Sequence, residues 1–205
     1  MRRHAPILGF LAVVSFSLPA LAAPASGMRG MVASGHADAT AAGVAMLRQG
    51  GNAVDAAVAT AFALAVVEPY SSGIGGGGFA IVKMDKALTF LDFREVAPAA
   101  ATRDMFVKDG VPNPMLSRDG ITSVAVPGAV AGYLGMHKRY GKLSRAQVLA
   151  PAIKLAEEGF VMNPVYRRDV EWRLEELRKD PEATKTFLIV DAQGVGQNPE
   201  LGVMW

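Results

Sequence analysis

Four consecutive glycines, Gly75 to Gly78, constrain this chain more than any other feature. They sit inside a longer run, residues 68–94, that reads Glu-Pro-Tyr-Ser-Ser-Gly-Ile-Gly-Gly-Gly-Gly-Phe and continues through two β-like segments to Arg94. Ordering glycine costs more backbone entropy than ordering any other residue, so such a run belongs where side chains cannot fit. It predicts backbone packed against backbone, or against a ligand, at the start of a buried strand. Gly73, Gly75 and Gly78 also match the spacing of a dinucleotide fingerprint. That motif needs a strand before the glycines and a helix N-terminus after them to hold the pyrophosphate. Here a helix-like segment precedes them and a β-like segment, 79–82, follows, so nucleotide binding is rejected.

The chain has 205 residues, of which 51% are hydrophobic and 20% charged, enough to build a domain with a core. Residues 1–22 read as a secretory signal peptide. Arg2, Arg3 and His4 open it, an apolar stretch over 7–18 follows, and Ala20-Leu21-Ala22 fits small-x-small cleavage before Ala23. The apolar stretch is short for a membrane anchor. The expected location is therefore periplasmic or secreted, with no membrane association after cleavage. Of 21 basic residues the leader holds Arg2 and Arg3, leaving 19 against 19 acidic ones. Nothing in that balance points to nucleic acid. With no cysteine there is no disulfide, thiol nucleophile or thiolate metal site. No metal or cofactor is expected.

Periodicity and capping signals predict a strand at 31–34 and a helix over 39–48 stopped by Gly50-Gly51. A second helix, capped by Asn52, spans 53–67 and is apolar all round, hence buried on most sides. A hairpin follows, with strands 79–84 and 88–93 and a turn at 85–87. Residues 102–106 read as one helical turn and 108–119 as loop. Further helices are expected from Pro127 to 140, over 145–158 behind Ser144, over 163–178, and from Asp180-Pro181. One hairpin and one short strand cannot bury the 53–67 helix, because marginal sheets need more strands. The chain thus reads as part of a larger layered α/β unit.

Several runs, in order, resemble γ-glutamyltransferases. They are Gly-Met-Val-Ala-Ser (30–34), Leu-Arg-Gln-Gly-Gly-Asn-Ala-Val-Asp-Ala-Ala (47–57) and the glycine run (68–79). Phe-Arg-Glu-Val-Ala-Pro-Ala-Ala-Ala (93–101), Val-Pro-Gly (126–128), His-Lys-Arg-Tyr-Gly-Lys-Leu (137–143) and Ala-Pro-Ala-Ile-Lys-Leu-Ala-Glu-Glu-Gly-Phe (150–160) continue the match. The resemblance covers residues 30–163. It implies an N-terminal-nucleophile hydrolase, an αββα sandwich of which 23–205 is the N-terminal portion of the large subunit. Such enzymes cut themselves into two subunits at a threonine, whose α-amine then serves as its general base. That threonine attacks glutathione or another γ-glutamyl donor, and the acyl group passes to water or to an amino-acid or peptide acceptor.

On this resemblance no catalytic nucleophile lies in the chain, and the partner is the small subunit of the same precursor. One contact carries over: Arg94, in the Arg-Glu-x-Ala-Pro segment, for the substrate α-carboxylate. A guanidinium offers a charged, bidentate match to that group. The plainer alternative is an ion pair with Asp92, Glu95 or Asp104. Ser34, His36 and Asp38 are too close in sequence for a convergent triad, and His36 reads as a turn residue. His137, with Lys138 and Arg139, reads as a solvated basic cluster at a helix end. Tyr70, Ser71 and Ser72 border the glycine run without an assignable role. A non-catalytic remnant, a cephalosporin acylase and a poly-γ-glutamate transferase are the alternative functions.

Overall fold

The computed structural model describes residues 25–200, 202 and 204; the leader expected over 1–22 lies outside them. Helix α1 (Ala37–Arg48) begins two residues earlier than its periodicity suggests, because His36, not Asp38, is the cap. His36 Nδ1 accepts the Asp38 N–H at 3.2 Å, which places the Asp38 carboxylate in the first turn, where the helix dipole favours it. Gly50 ends the helix at φ +87, the left-handed conformation that glycine adopts without penalty. Asn52 then opens α2 (Ala53–Val67) with a reciprocal capping box. Its side chain accepts from Val54 and Asp55, and the Asp55 carboxylate accepts the Asn52 N–H at 2.8 Å.

Helix α2 is the hub. Val58, Ala59, Ala63 and Val67 are fully buried. α1 crosses it at Gly43, where a Cβ would stand 3.1 Å from the Ala56 carbonyl and 2.9 Å from Val32. One core cluster joins α1 and the end of α2 to Phe160, Met162, Tyr166 and Val170. The other joins the start of α2 to Met46, Val82, Met136 and Val148.

The hairpin forms as expected, from β1 (Phe79–Met84) and β2 (Ala87–Asp92) in the register Phe79↔Asp92 to Met84↔Ala87. Its turn is two residues, not three, because Ala87 pairs with Met84 and Asp85 takes φ 50. Two backbone hydrogen bonds between Gly78 and Phe93 carry the ladder one pair further. A second hairpin, β3 (Val107–Lys108) and β4 (Val111–Pro112), lies in the stretch expected as loop. Its Asp109-Gly110 turn, with φ 53 and 77, has the residues such a turn demands.

Helix α3 (Ala129–Tyr140) takes Gly128 as its cap, so Pro127 precedes the helix instead of starting it. α4 (Arg145–Glu158) has the Ser144–Gln147 capping box and stops at Gly159, φ +85. The helix expected over 163–178 breaks at Arg173 into α5 (Pro164–Trp172) and α6 (Leu174–Lys179). α7 (Pro181–Phe187) follows, then β5 (Ile189–Val190) and β6 (Gly196–Gln197), a pair not anticipated.

One expected strand does not form: residues 31–34 form none, since a strand exists only with a neighbour to pair with and the described residues provide none. The described residues hold three sheets of two strands each, a part of a layered α/β unit and not a closed sandwich. No described helix is long and apolar enough to cross a membrane.

Candidate functional site

The glycine run, the end of β2 and the start of α3 meet at one junction. Gly76 O accepts the N–H groups of Gly128 and Ala129 at 3.0 and 2.9 Å. The first two donors at the start of α3 are therefore taken by a carbonyl of the glycine run. Beyond the junction, Val96 and Val126 exchange two backbone hydrogen bonds, 3.2 and 2.9 Å. Phe93 lies between Gly78 and Gly132, its ring edge-on to Tyr133 at 5.5 Å.

Arg94 leaves this junction. Its N–H donates to Asp92 Oδ1 at 2.9 Å, which fixes the backbone just past the strand. The Arg94 side chain is 58% exposed, and its guanidinium carbon sits 5.9 Å from the Phe79 ring centroid. Its Nε is 3.2 Å from Glu95 Oε2, a contact without hydrogen-bond geometry, since Glu95 Oε2 is buried with no hydrogen-bond partner among the described residues. Arg94 thus has the neighbouring carboxylate that the plainer alternative foresaw. Among the described residues neither Nη makes a hydrogen bond, which leaves the forked edge open to an incoming carboxylate.

The remaining candidates separate. Ser34, His36 and Asp38 form a capping cluster: Ser34 Oγ donates to His36 O and shares a 2.7 Å hydrogen bond with Thr40 Oγ1. Tyr70 points away from the glycines. Its ring meets Tyr166 edge-on at 5.7 Å and lines, with Pro69, Val170, Leu177 and Phe187, an apolar cavity of about 230 Å³. Burial first, and Glu68 second, push its hydroxyl pKa up. Ser71 is exposed and Ser72 half-buried, both donating backbone N–H groups to Glu68 O. No group of three or more His, Asp or Glu able to hold a metal occurs among the described residues.

His137 corrects the sequence reading. It is 8% exposed, and its Nε2 is 3.2 Å from Oδ1 of the fully buried Asp55. It faces inward because α3 packs on α2 at that point. Asp55 also accepts backbone N–H groups from Lys142 (3.0 Å) and Leu143 (3.1 Å), and Asn52 Nδ2 donates to Tyr140 O at 2.6 Å. Burial pushes the Asp55 carboxyl up, but the three backbone donors and then His137 outweigh it and hold the pKa below its ordinary value. The Asn52–Asp55 spacing announces only the cap; nothing local in sequence announces partners near residue 142.

The protein-family model described as gamma-glutamyltranspeptidase matches residues 39–200. The chain belongs to this family. It is 43% identical over 166 residues to a glutathione hydrolase proenzyme of Escherichia coli, covering 80% of this chain and 29% of that protein. It is equally 43% identical to an acylase ACY 1 proenzyme of Pseudomonas, over 77% of this chain and 30% of that one. The crystal structure of Helicobacter pylori gamma-glutamyltranspeptidase superimposes with a TM-score of 0.80 at 39% identity, covering 89% of this chain and 52% of that chain. The chain is thus a mixed α/β portion matching about half of a γ-glutamyltranspeptidase chain and under a third of full-length proenzymes.

Proposed function

We propose that this chain contributes the carboxylate clamp of a γ-glutamyltransferase, or glutathione hydrolase, whose attacking threonine belongs to the part of the family fold outside these residues. The donor is glutathione or a related γ-glutamyl amide, and the acceptor is water, an amino acid or a peptide. The enzyme is an exported precursor cut into two subunits, and this chain belongs to the larger. The apolar outer face of the β1–β2 hairpin is where the rest of the N-terminal-nucleophile sandwich packs.

One observation carries the reading. Arg94 is held at its backbone by the strand end and Asp92, while its forked edge stands exposed beside the glycine run. A solvent-reachable guanidinium on an anchored backbone suits a substrate α-carboxylate. The test is Arg94→Ala in the full-length protein. KM for a γ-glutamyl anilide rises about tenfold or more, the loss expected of a charge-assisted hydrogen bond; an unchanged KM removes Arg94 from the site.

The acylase relative, at equal identity, supports a second reading as an acylase, for which a donor without the α-amino group is the probe. Comparing kcat/KM for a γ-glutamyl amide and a glutaryl amide separates the two. Preference for the γ-glutamyl donor supports the transferase.

A further inference from the structure

Three glycines enclose the residue pair that presents the Arg94 guanidinium. A Cβ on Gly77 would stand 2.5 Å from Phe93 O, 2.7 Å from Glu95 N and 2.8 Å from Arg94 Cα. A Cβ on Gly128 would collide with Phe93 O and lie 2.9 Å from Phe93 C and 3.0 Å from Arg94 O. A Cβ on Gly132, one turn into α3, would meet Phe93 Cβ and Cδ1 at 2.6 Å.

Gly77 and Gly128 therefore touch the same two or three peptide units, and what they touch is backbone, which cannot swing aside as a side-chain end can. None of the three has a positive φ, and Gly128 sits at φ −109. Alanine would be allowed by conformation at Gly128 and is excluded by space alone. The Gly76 carbonyl, bonded to the N–H groups of Gly128 and Ala129, locks the loop to the helix around this strip of backbone.

From this we infer that Gly77 and Gly128, backed by Gly132, are positioning residues for the substrate α-carboxylate. They set the depth of the Phe93–Arg94 backbone and so the place of the guanidinium, without touching substrate themselves. The inference rests on the assignment of Arg94 above. A guanidinium displaced by about 1 Å keeps its charge but loses bidentate geometry, and such displacements by residues remote from the chemistry can cost about a hundredfold.

The other glycines provide a graded control. Gly135, on the same helix, has nothing within 4 Å. A Cβ on Gly78 would meet only the edge of the Phe93 ring, at 3.1 Å.

The experiment compares Gly128→Ala, Gly77→Ala, Gly78→Ala, Gly135→Ala and Arg94→Ala in the full-length, processed protein. Two donors are used: a γ-glutamyl anilide and the matching 4-aminobutyryl anilide, which lacks the α-carboxylate. Gly128→Ala and Gly77→Ala should each raise KM for the γ-glutamyl donor about tenfold or more while kcat stays within about threefold, and should shrink the preference for the carboxylate-bearing donor. Gly78→Ala should have a small effect and Gly135→Ala none.

A γ-glutamyl KM that stays at the wild-type value in both Gly128→Ala and Gly77→Ala, beside a raised KM in Arg94→Ala, overturns the inference. So does an equal loss on the two donors, or recovery of both variants only as insoluble protein, since either assigns these glycines to folding and not to positioning. If Arg94→Ala itself leaves KM unchanged, the clamp assignment fails and takes the inference with it.

Discussion

The two halves of this molecule are closed by different materials. The helical layer is closed by side chains: Val58, Val67 and Val148 have no accessible surface, Tyr166 is 1% exposed, and the Asp55 carboxylate ties α2 to the α3–α4 connection. The hairpin and its junction are closed by main chain, with glycines pressed on peptide units and carbonyls accepting from N–H groups. The outer hairpin face is left open: Phe79, Ile81, Leu88 and Phe90 are 58–74% exposed, and Phe79 stacks on Phe90 at 5.5 Å. A substitution in the first half should therefore be felt as lost stability. One at the junction should be felt as misplaced geometry, and one on the outer face hardly at all within this chain.

Asp55→Ala gives the largest expected effect, about 3–5 kcal/mol, because it leaves three backbone N–H groups and the buried His137 without their carboxylate. Chemical denaturation of this chain measures it, and a loss below about 1 kcal/mol would show that the helical layer does not depend on the staple. The same group shapes the acid limb. Its folded pKa is lowered, so its contribution is full above the ordinary Asp value near 4 and disappears as pH falls through the lower folded value. Melting temperature should drop across that window in the native chain, and Asp55→Asn should flatten the drop.

Gly43→Val comes next, at about 1–3 kcal/mol, because the helix crossing has no space for the branch. An unchanged denaturation midpoint would mean that α1 can lift off α2 at no cost. The smallest effect is expected from Ile81→Ser on the open face, within about 0.5 kcal/mol for this chain. A loss of several times that would show the face to be covered, and would erase the contrast between the halves. Lower light scattering by the variant would agree with an exposed apolar patch.

Much of this arrangement was readable in one dimension. Asn52, Ser144 and Asn163 each sit where their caps form, because a cap is a contact within three residues and leaves its signature in local spacing. The β1–β2 hairpin was readable for the same reason, and so was the burial of α2 from its unbroken apolarity. What stayed hidden depends on partners distant in sequence. Nothing near His137 signals that it turns inward to a carboxylate on another helix. Residues 31–34 carry a strand composition without a strand to join. At the site, the resemblance points to Arg94 and adjacency names Glu95 among its partners, but the three glycines enclosing Phe93 emerge only when residues 77, 93 and 128 share one place. The Asp109-Gly110 pair carries a turn signature of its own, but Pro112 and Pro114 just after it read as loop.

The reach of the Asp55 carboxylate along the polypeptide, 87 positions to Lys142, also bears on how the molecule comes together in time. α1 and α2 are joined by a few residues and can dock early, at small loop-closure cost. The bonds to Lys142 and Leu143 must wait until α3 has been brought across, so they act as a late latch. Removing that latch should accelerate unfolding far more than it slows refolding.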